Sequence, residues 1–341
     1  MSGPASLGVG IIGLGVGEQH ALVFAGHAAC RIAAICDVDG ARLAEVSIRH
    51  PNAHRHARAE DLIADPTVNI VVVASNDDHH AAQIIGALRA GKHVFAEKPL
   101  CLERRQLHAI KEAWRAAGGG RLTTNTVLRR SPRFRWLRDA ISSGRLGTVY
   151  CIEGDYVYGR LPKLTAGWRG AIADYSVMLG GGIHMVDLAM WLSDARPTRV
   201  TAYGSSLGSS HTSFRGTDLV LALLQFDSGL IAKIGANFAS VYPHFHRLVV
   251  HGTQGTFENL PAAVSPAARL WQARDEGSPP VEVDAAYPAV GKGALVPAFV
   301  EAILGRGAPD VSEEEAFACV AVCLAIQDSL AQGREVEVVY E

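Results

Sequence analysis

Two periodicities divide this chain, one of buried strands alternating with helices and one of strands that alternate residue by residue. Leu7 to Ile12 is a short apolar run ending in Gly13, Gly15 and Gly17, after which EQHALVFAG is spaced as a helix. RIAAICDVD reads as a second buried strand, NIVVVAS (69–75) as a third and HVFAE (93–97) as a fourth. Between the last two, a helix from about His80 to Ala90 sets Ile84, Ile85 and Leu88 on one face. Strands alternating with helices predict a parallel, doubly wound α/β sheet over residues 1–121. Beyond about residue 121 the pattern changes to RVTAYGS, DLVLALLQF, LIAKIGANF and RLVVHG, alternating in polarity between glycine turns. Over 122–341 this predicts an α+β domain with a mostly antiparallel sheet, one face packed on helices and the other available to a second subunit. Ser312 with Glu315 forms a capping box that opens a long apolar helix ending near Gly333, which makes Cys319 and Cys323 core side chains.

The order strand, glycine turn, helix is the context a dinucleotide site requires. Glycines let the backbone turn sharply and approach a pyrophosphate, whose charge the free N–H groups of the helix N-terminus stabilise. The usual G-x-G-x-x-G places its third glycine at position 18, where this chain has Glu18; here it falls at Gly17, as though the turn were one residue shorter. Taken alone, such a turn serves packing as readily as it serves a phosphate. The second strand adds Asp37, roughly 20 residues further on, where a carboxylate accepts hydrogen bonds from the adenosine ribose. A carboxylate there repels a 2′-phosphate and favours NAD over NADP, and no arginine follows it directly, the nearest downstream being Arg42. A strand-terminal aspartate that merely opens a turn is the alternative.

The fourth strand delivers Glu97, Lys98 and Pro99 at its carboxyl end, the edge of an open α/β sheet where ligands bind. A lysine there can act as a charged donor to a substrate oxygen, or as an acid whose pKa burial lowers. Downstream, LGGGIHMVDLAMWL leads from Gly180, Gly181 and Gly182 into a helix with His184 and Asp187 on one face. Histidine titrates near neutral pH, so it can take a hydroxyl proton as hydride leaves the carbinol carbon, with Asp187 orienting it. The glycine run before it permits close approach of a ligand; a core histidine in an apolar helix is the competing reading.

Composition narrows the partners. A chain of 341 residues, 48% of them hydrophobic, can bury two cores. With 32 basic against 34 acidic residues well mixed, it offers no electrostatic footprint for nucleic acid or an anionic membrane, so a small molecule is the expected partner. The six cysteines include no C-x-x-C pair and fit a reducing compartment. The N-terminus runs directly into a strand without a basic n-region, and no apolar run reaches the roughly 18 residues of a membrane span. A soluble cytoplasmic protein is expected.

Together these segments resemble the glucose–fructose oxidoreductase, inositol dehydrogenase and rhizopine-catabolism (Gfo/Idh/MocA) family. The resemblance spans nearly the whole chain. It rests on the glycine turn, on VVVASNDDHHAAQIIGALRAGKHVFAEKPL (71–100), on SPRFRWLRDAISSGRLGTV (131–149), on WRG (168–170), on GGIHMVDLAMWL and on VHGTQGTFEN (250–259). It implies an N-terminal Rossmann fold, a C-terminal domain whose open sheet supports a homodimer or homotetramer, and reversible oxidation of a hydroxyl on a sugar, cyclitol or related compound. It also implies that Lys98 is the catalytic lysine, that Pro99 follows a cis bond, that His184 is the histidine of the second motif, and that Asn76, Asp77 and His80 line the nicotinamide side. Ser75 and Asn76 stand where the family often has Thr and Pro. Many members carry an aspartate four residues before the motif histidine; this chain has Gly180. Either Lys98 and His184 suffice, or Asp174 or Asp187 substitutes, or the redox activity is altered or lost, with Tyr175 a further candidate donor.

Trp168 beside Arg169 offers an aromatic platform and a guanidinium for a hydroxylated or anionic ligand. The basic stretch RRSPRFRWLR (129–138) is expected to be a solvated helix face rather than a grip on an anion. The pairs His54 with His56 and His244 with His246 have no carboxylate cluster in sequence, so no metal is expected. The leading expectation is an NAD(P)-dependent dehydrogenase of a sugar-like alcohol. Its rivals are an enzyme of the same architecture that uses NAD transiently for elimination or glycoside cleavage, and a non-catalytic sensor of dinucleotide or sugar.

Overall fold

A computed structural model describes residues 6–118, 120–172 and 175–341. The chain divides into two compact units, one of Met1–Val127 with Gly291–Phe317 and one of Leu128–Val290 with Ala318–Glu341.

The first unit is built on six parallel strands, β1 (Leu7–Ile12), β2 (Cys30–Cys36), β3 (His54–His56), β4 (Ile70–Val73), β5 (His93–Ala96) and β6 (Leu122–Thr124), in the order β3-β2-β1-β4-β5-β6. Every residue of β4 is buried, as expected of a strand covered on both faces by helices. Helices α1 (Gly17–Ala25), α2 (Gly40–Arg49), α3 (Ala59–Ala64), α4 (His80–Arg89) and α5 (Arg104–Ala116) connect the strands. The sequence pattern misses β3 and β6 because each has three residues, too few for a period, and His-Arg-His is polar throughout. Residues from the far end of the chain complete this unit. Phe299, on the helix Val296–Ile303, meets Phe95 edge-on with ring centroids 5.7 Å apart, and Thr123 Oγ1 donates to the Val311 carbonyl at 2.8 Å. The capping box forms as read, with Glu315 N donating to Ser312 Oγ and Ser312 N donating to the Glu315 carboxylate.

The second unit carries β7 (Val149–Val157), β8 (Pro197–Ser205), β9 (Leu219–Phe226), β10 (Ile231–Asn237), β11 (Phe245–Gly252), β12 (Thr256–Asn259), β13 (Ala268–Trp271), β14 (Val281–Val283) and β15 (Val336–Glu337). These form one nine-stranded sheet in the order β14-β13-β12-β11-β7-β10-β9-β8-β15, antiparallel except where β7 pairs with β10. The almost wholly buried helix Ile183–Ser193 packs across β7 and β10. On the other face the alternation leaves Tyr203, Leu221, Leu223 and Ile231 exposed on neighbouring strands. Helix α6 (Pro132–Ser142) inverts one expectation, since Arg133 is buried, as is Arg129 just before it. The Arg133 guanidinium donates to Asn259 and to the carbonyls of Ala285 and Pro266, partners that the basic stretch gives no hint of because they lie more than 100 residues downstream.

Candidate active site

The three glycines of the first turn do three different jobs. Gly13 has φ +84°, and a Cβ there would sit 2.5 Å from the Ala74 carbonyl oxygen, so only glycine fits. Gly17 opens α1 against the sheet, where a Cβ would approach Ile11 Cγ2 at 2.9 Å and Ala74 Cβ at 3.1 Å. The shortened spacing is thereby explained: Gly17 provides the close helix–strand packing ordinarily supplied one residue later. Among the described residues, and apart from its chain neighbours, no atom lies within 4 Å of where a Cβ at Gly15 would be, which leaves open space at the tip of the turn. Helix α1 begins without a side-chain cap, and with Gln19 N donating to the Val16 carbonyl at 3.0 Å, the amides of Gly17 and Glu18 are the ones left for an anion. Asp37, at the end of β2, accepts from Leu14 N at 2.7 Å through Oδ2 and from Asp39 N at 2.9 Å through Oδ1. Its carboxylate therefore rests on the glycine turn itself. These features form a cradle suited to the diphosphate and ribose of a dinucleotide.

At the ends of β4 and β5, buried His80 ties two loops together. Its Nδ1 lies 2.7 Å from the Pro99 carbonyl and its Nε2 3.1 Å from the Ser75 carbonyl. Ser75 Oγ in turn donates to Gln83 at 2.8 Å, while Asn76 begins the turn that leads through Asp77 into α4. The Lys98–Pro99 peptide is cis, as the resemblance implies, and Lys98 is half-buried beside the buried Glu97. Glu97 Oε1 accepts from His20 Nε2 at 2.9 Å and from Asn125 Nδ2 at 2.8 Å. Burial alone would raise the Glu97 pKa, but the His20 bond and the charges of His20, Lys98 and Lys292 hold it well below the usual carboxylate range. His20 and Asn125 did not stand out in the sequence. The signal for His20 was a histidine sharing the buried face of its helix with Gly17, Ala21 and Phe24.

In the second unit His184 stands on the first turn of its helix, directly after a π-helical turn over Met178–Gly182, a distortion frequent at functional sites. The glycine run does not open a space for a ligand. A Cβ at Gly181 would meet the Tyr156 ring at 2.5 Å and the Phe238 ring at 2.8 Å, and one at Gly180 would fall on the Tyr175 hydroxyl. The run instead admits the protein's own rings. Asp187 takes a bidentate pair from Arg129, Nε to Oδ2 at 2.9 Å and Nη2 to Oδ1 at 2.7 Å, with both side chains buried.

Trp168, Arg169 and Tyr175 form one group. The Arg169 guanidinium lies 4.2 Å from the Trp168 ring centroid, and its Nε donates to the Tyr175 hydroxyl at 3.1 Å. Asp174 lies outside the described residues. His184 stacks on Tyr156 with ring centroids 6.0 Å apart and meets His246 edge-on at 6.2 Å. His246 pairs in register with Tyr156 across β11 and β7, and His244 lies 5.0 Å from the rings of both Tyr156 and Tyr158. The two-residue spacing of His244 and His246 thus places both on one sheet face, against aromatic rings. Burial raises the Tyr156 hydroxyl well above its ordinary range, with Tyr158 and Tyr175 adding to the effect.

For His54 and His56 the sequence expectation of no accompanying carboxylate is corrected, because Asp65 lies within reach of both. Asp65 is the residue that ends α3, and its carboxylate reaches back to both histidines of β3. His54 Nδ1 stands 2.6 Å from Asp65 Oδ2, a direct hydrogen bond, whereas two ligands of a tetrahedral zinc stand about 3.3 Å apart. In this arrangement the three side chains are a hydrogen-bonded triad.

The family model described as the oxidoreductase family with NAD-binding Rossmann fold matches residues 7–123, and the GFO/IDH/MocA C-terminal domain matches 134–258. A protein named 1,5-anhydro-D-fructose reductase from Ensifer adhaerens is 30% identical over 82% of this chain and 82% of its own. The chain belongs to the Gfo/Idh/MocA family. Among other Gfo/Idh/MocA relatives, the myo-inositol 2-dehydrogenase of Thermotoga maritima is 29% identical over 72% of this chain and 73% of its own. A structure of levoglucosan dehydrogenase in complex with NADH and levoglucosan superimposes with TM-score 0.83 at 21% identity, covering 98% of this chain and 99% of that one. The protein is thus an NAD-binding oxidoreductase by family, and its two-sheet architecture is that of solved Gfo/Idh/MocA structures.

Proposed function

We propose that this protein is an NAD-dependent dehydrogenase acting on a hydroxyl of a sugar, cyclitol or related polyol, with the first unit holding the dinucleotide and the second the substrate. The observation that carries the reading is the division of labour among Gly13, Gly15 and Gly17, which leaves open space beside the Gly17 and Glu18 amides of the uncapped helix and the Asp37 carboxylate. The substrate class is supported by the sugar and inositol enzymes among its relatives.

Gly13, Gly15 and Gly17 hold the pyrophosphate, Asp37 takes the ribose hydroxyls, and Ser75, Asn76, His80, Glu97 and Lys98 shape the nicotinamide side. When bound, NAD supplies the acceptor for the hydride. Lys98 donates a hydrogen bond to the reacting oxygen and stabilises the charge that develops there. His184 takes the hydroxyl proton. Asp187, clamped by Arg129, fixes the helical turn that carries His184. Trp168, Arg169 and Tyr175 contact the substrate, and Tyr175 provides the donor that the resemblance otherwise gives to an aspartate at position 180; Asp174 is a further substrate contact on sequence position alone. The exposed face of Tyr203, Leu221, Leu223 and Ile231 is the contact of a homodimer or homotetramer. Six free thiols fit a cytoplasmic location, and no helix among the described residues is long and apolar enough to cross a membrane.

The test is the near-ultraviolet absorbance of reduced nicotinamide, using purified protein with NAD or NADP and a panel of sugars, cyclitols and sugar acids. Net reduction with one substrate class is the expected result. Tight NAD binding without net reduction across the panel overturns the dehydrogenase in favour of transient redox catalysis or sensing.

A further inference from the structure

Glu18 occupies the place where G-x-G-x-x-G has its last glycine, and with Gly17 providing the tight packing its side chain is free to turn outward. It is only 15% exposed, because two guanidinium groups cover it. Arg42 Nη2 donates to Glu18 Oε2 at 2.6 Å, and Arg49 pairs with the other oxygen. Arg42 is further held by Glu45 at 2.8 Å, and its Nε and Nη2 donate to the Leu14 carbonyl at 3.1 and 2.9 Å. The N–H of that same Leu14 donates to Asp37. One residue of the glycine turn therefore carries the ribose-selecting carboxylate on its amide and Arg42 on its carbonyl. Asp39, whose carboxylate caps α2 through Ala41 N and Arg42 N, adds a further negative charge. Burial lowers the His50 pKa, an effect that the nearby Glu18 charge opposes and the Arg49 charge reinforces.

We infer that Glu18 is a second determinant of cofactor choice, acting against a 2′-phosphate by holding Arg42 away from it. This rests on the reading that the glycine turn and Asp37 receive the adenosine end of a dinucleotide. A 2′-phosphate carries close to two negative charges at neutral pH and is best recognised by a guanidinium with donors to spare. Arg42 is the arginine nearest in sequence after Asp37, and the structure places it on the same turn. Four of its five N–H donors are committed to Glu18, Glu45 and Leu14, and its charge is balanced by two carboxylates. Asp37 and its surroundings therefore hold four carboxylates, Glu18, Asp37, Asp39 and Glu45, against two guanidinium groups, Arg42 and Arg49. A diphosphate whose ribose carries two free hydroxyls is accepted by this arrangement; one that bears a phosphate is repelled.

The test is the dissociation constant of NAD and of NADP, measured by titration calorimetry without substrate, for the wild type, Glu18→Gln, Arg42→Met and the double variant. In Glu18→Gln, NADP affinity rises roughly tenfold, with steeper salt dependence, while NAD affinity stays within about twofold. Arg42→Met alone gives no gain in NADP affinity, because it frees no donor and leaves the Glu18 and Glu45 charges less balanced, and in the Glu18→Gln background it abolishes the gain. An unchanged NADP-to-NAD ratio in Glu18→Gln, or a gain that survives loss of Arg42, overturns the inference. So does a wild type that binds NADP as tightly as NAD. A wild type that binds neither cofactor defeats the dinucleotide reading beneath it, and Asp37→Ser separates the cases, since relaxed selectivity there with none in Glu18→Gln leaves the cradle intact and removes Glu18 from it.

Discussion

The two glycine clusters of this molecule are alike in sequence and opposite in use. In the first unit Gly15 faces no other part of the chain among the described residues, while Gly13 and Gly17 let the chain turn and pack around that gap. In the second, Gly180 and Gly181 are pressed against Tyr175, Tyr156 and Phe238, so the absent side chains are replaced by rings from elsewhere in the same unit. Glycine content alone thus does not mark a ligand site. What an added methyl group would meet separates the two cases.

The comparison can be broken most sharply at the chemistry each cluster serves. Lys98→Met and His184→Ala should each lower turnover by roughly 10² to 10⁴-fold in the nicotinamide absorbance assay while leaving NAD affinity nearly unchanged; variants that keep full activity would remove both residues from the reaction. Next in size is Gly181→Ala, expected to cost about 2 to 3 kcal/mol by thermal or urea unfolding, since two buried rings must give way. Gly15→Ala should do the reverse, shifting stability by less than about 0.5 kcal/mol while weakening NAD binding by roughly tenfold, or about 1.4 kcal/mol. If Gly15→Ala unfolds the protein, or Gly181→Ala spares it, the contrast between open and filled space fails.

The smallest expected effect concerns the base of the cradle. Glu97→Gln should cost about 1 kcal/mol at neutral pH, because the buried His20 and Asn125 donors lose a charged acceptor. The Glu97 pKa is depressed in the folded state, so its stabilisation is complete above the unfolded carboxyl value of about 4.3 and is lost as pH falls below it. The gap in unfolding temperature between wild type and variant should therefore narrow in acid. A gap that stays constant down to the onset of acid unfolding would mean that Glu97 is not the ionised centre of this network.

Much of the first unit was legible because buried strands and glycine turns are local signals. Leu7–Ile12 appears with the bounds its apolar run predicts, and the odd glycine spacing resolves once Gly17 is seen against Ile11 and Ala74. What escaped the sequence is what depends on distant partners. Arg129 and Arg133 read as a solvated basic face until Asp187 and Asn259 are brought to them. The pair His244 and His246 has no meaning until β11 lies in register with β7 and sets Tyr156 opposite. Trp168 and Arg169 were identifiable as neighbours, but their link to Tyr175 needed the fold.

The contribution of residues 291–317 to the first unit has a consequence for how the protein is made. On the ribosome the six parallel strands emerge early, yet Phe95 lacks Phe299 and Thr123 Oγ1 lacks its acceptor at Val311 until nearly the whole chain has been synthesised. These contacts join residues about 200 positions apart, the kind that form late and slowly. A gene fragment ending after β6 would thus encode a nucleotide-binding sheet without the Phe299 and Val311 partners of Phe95 and Thr123.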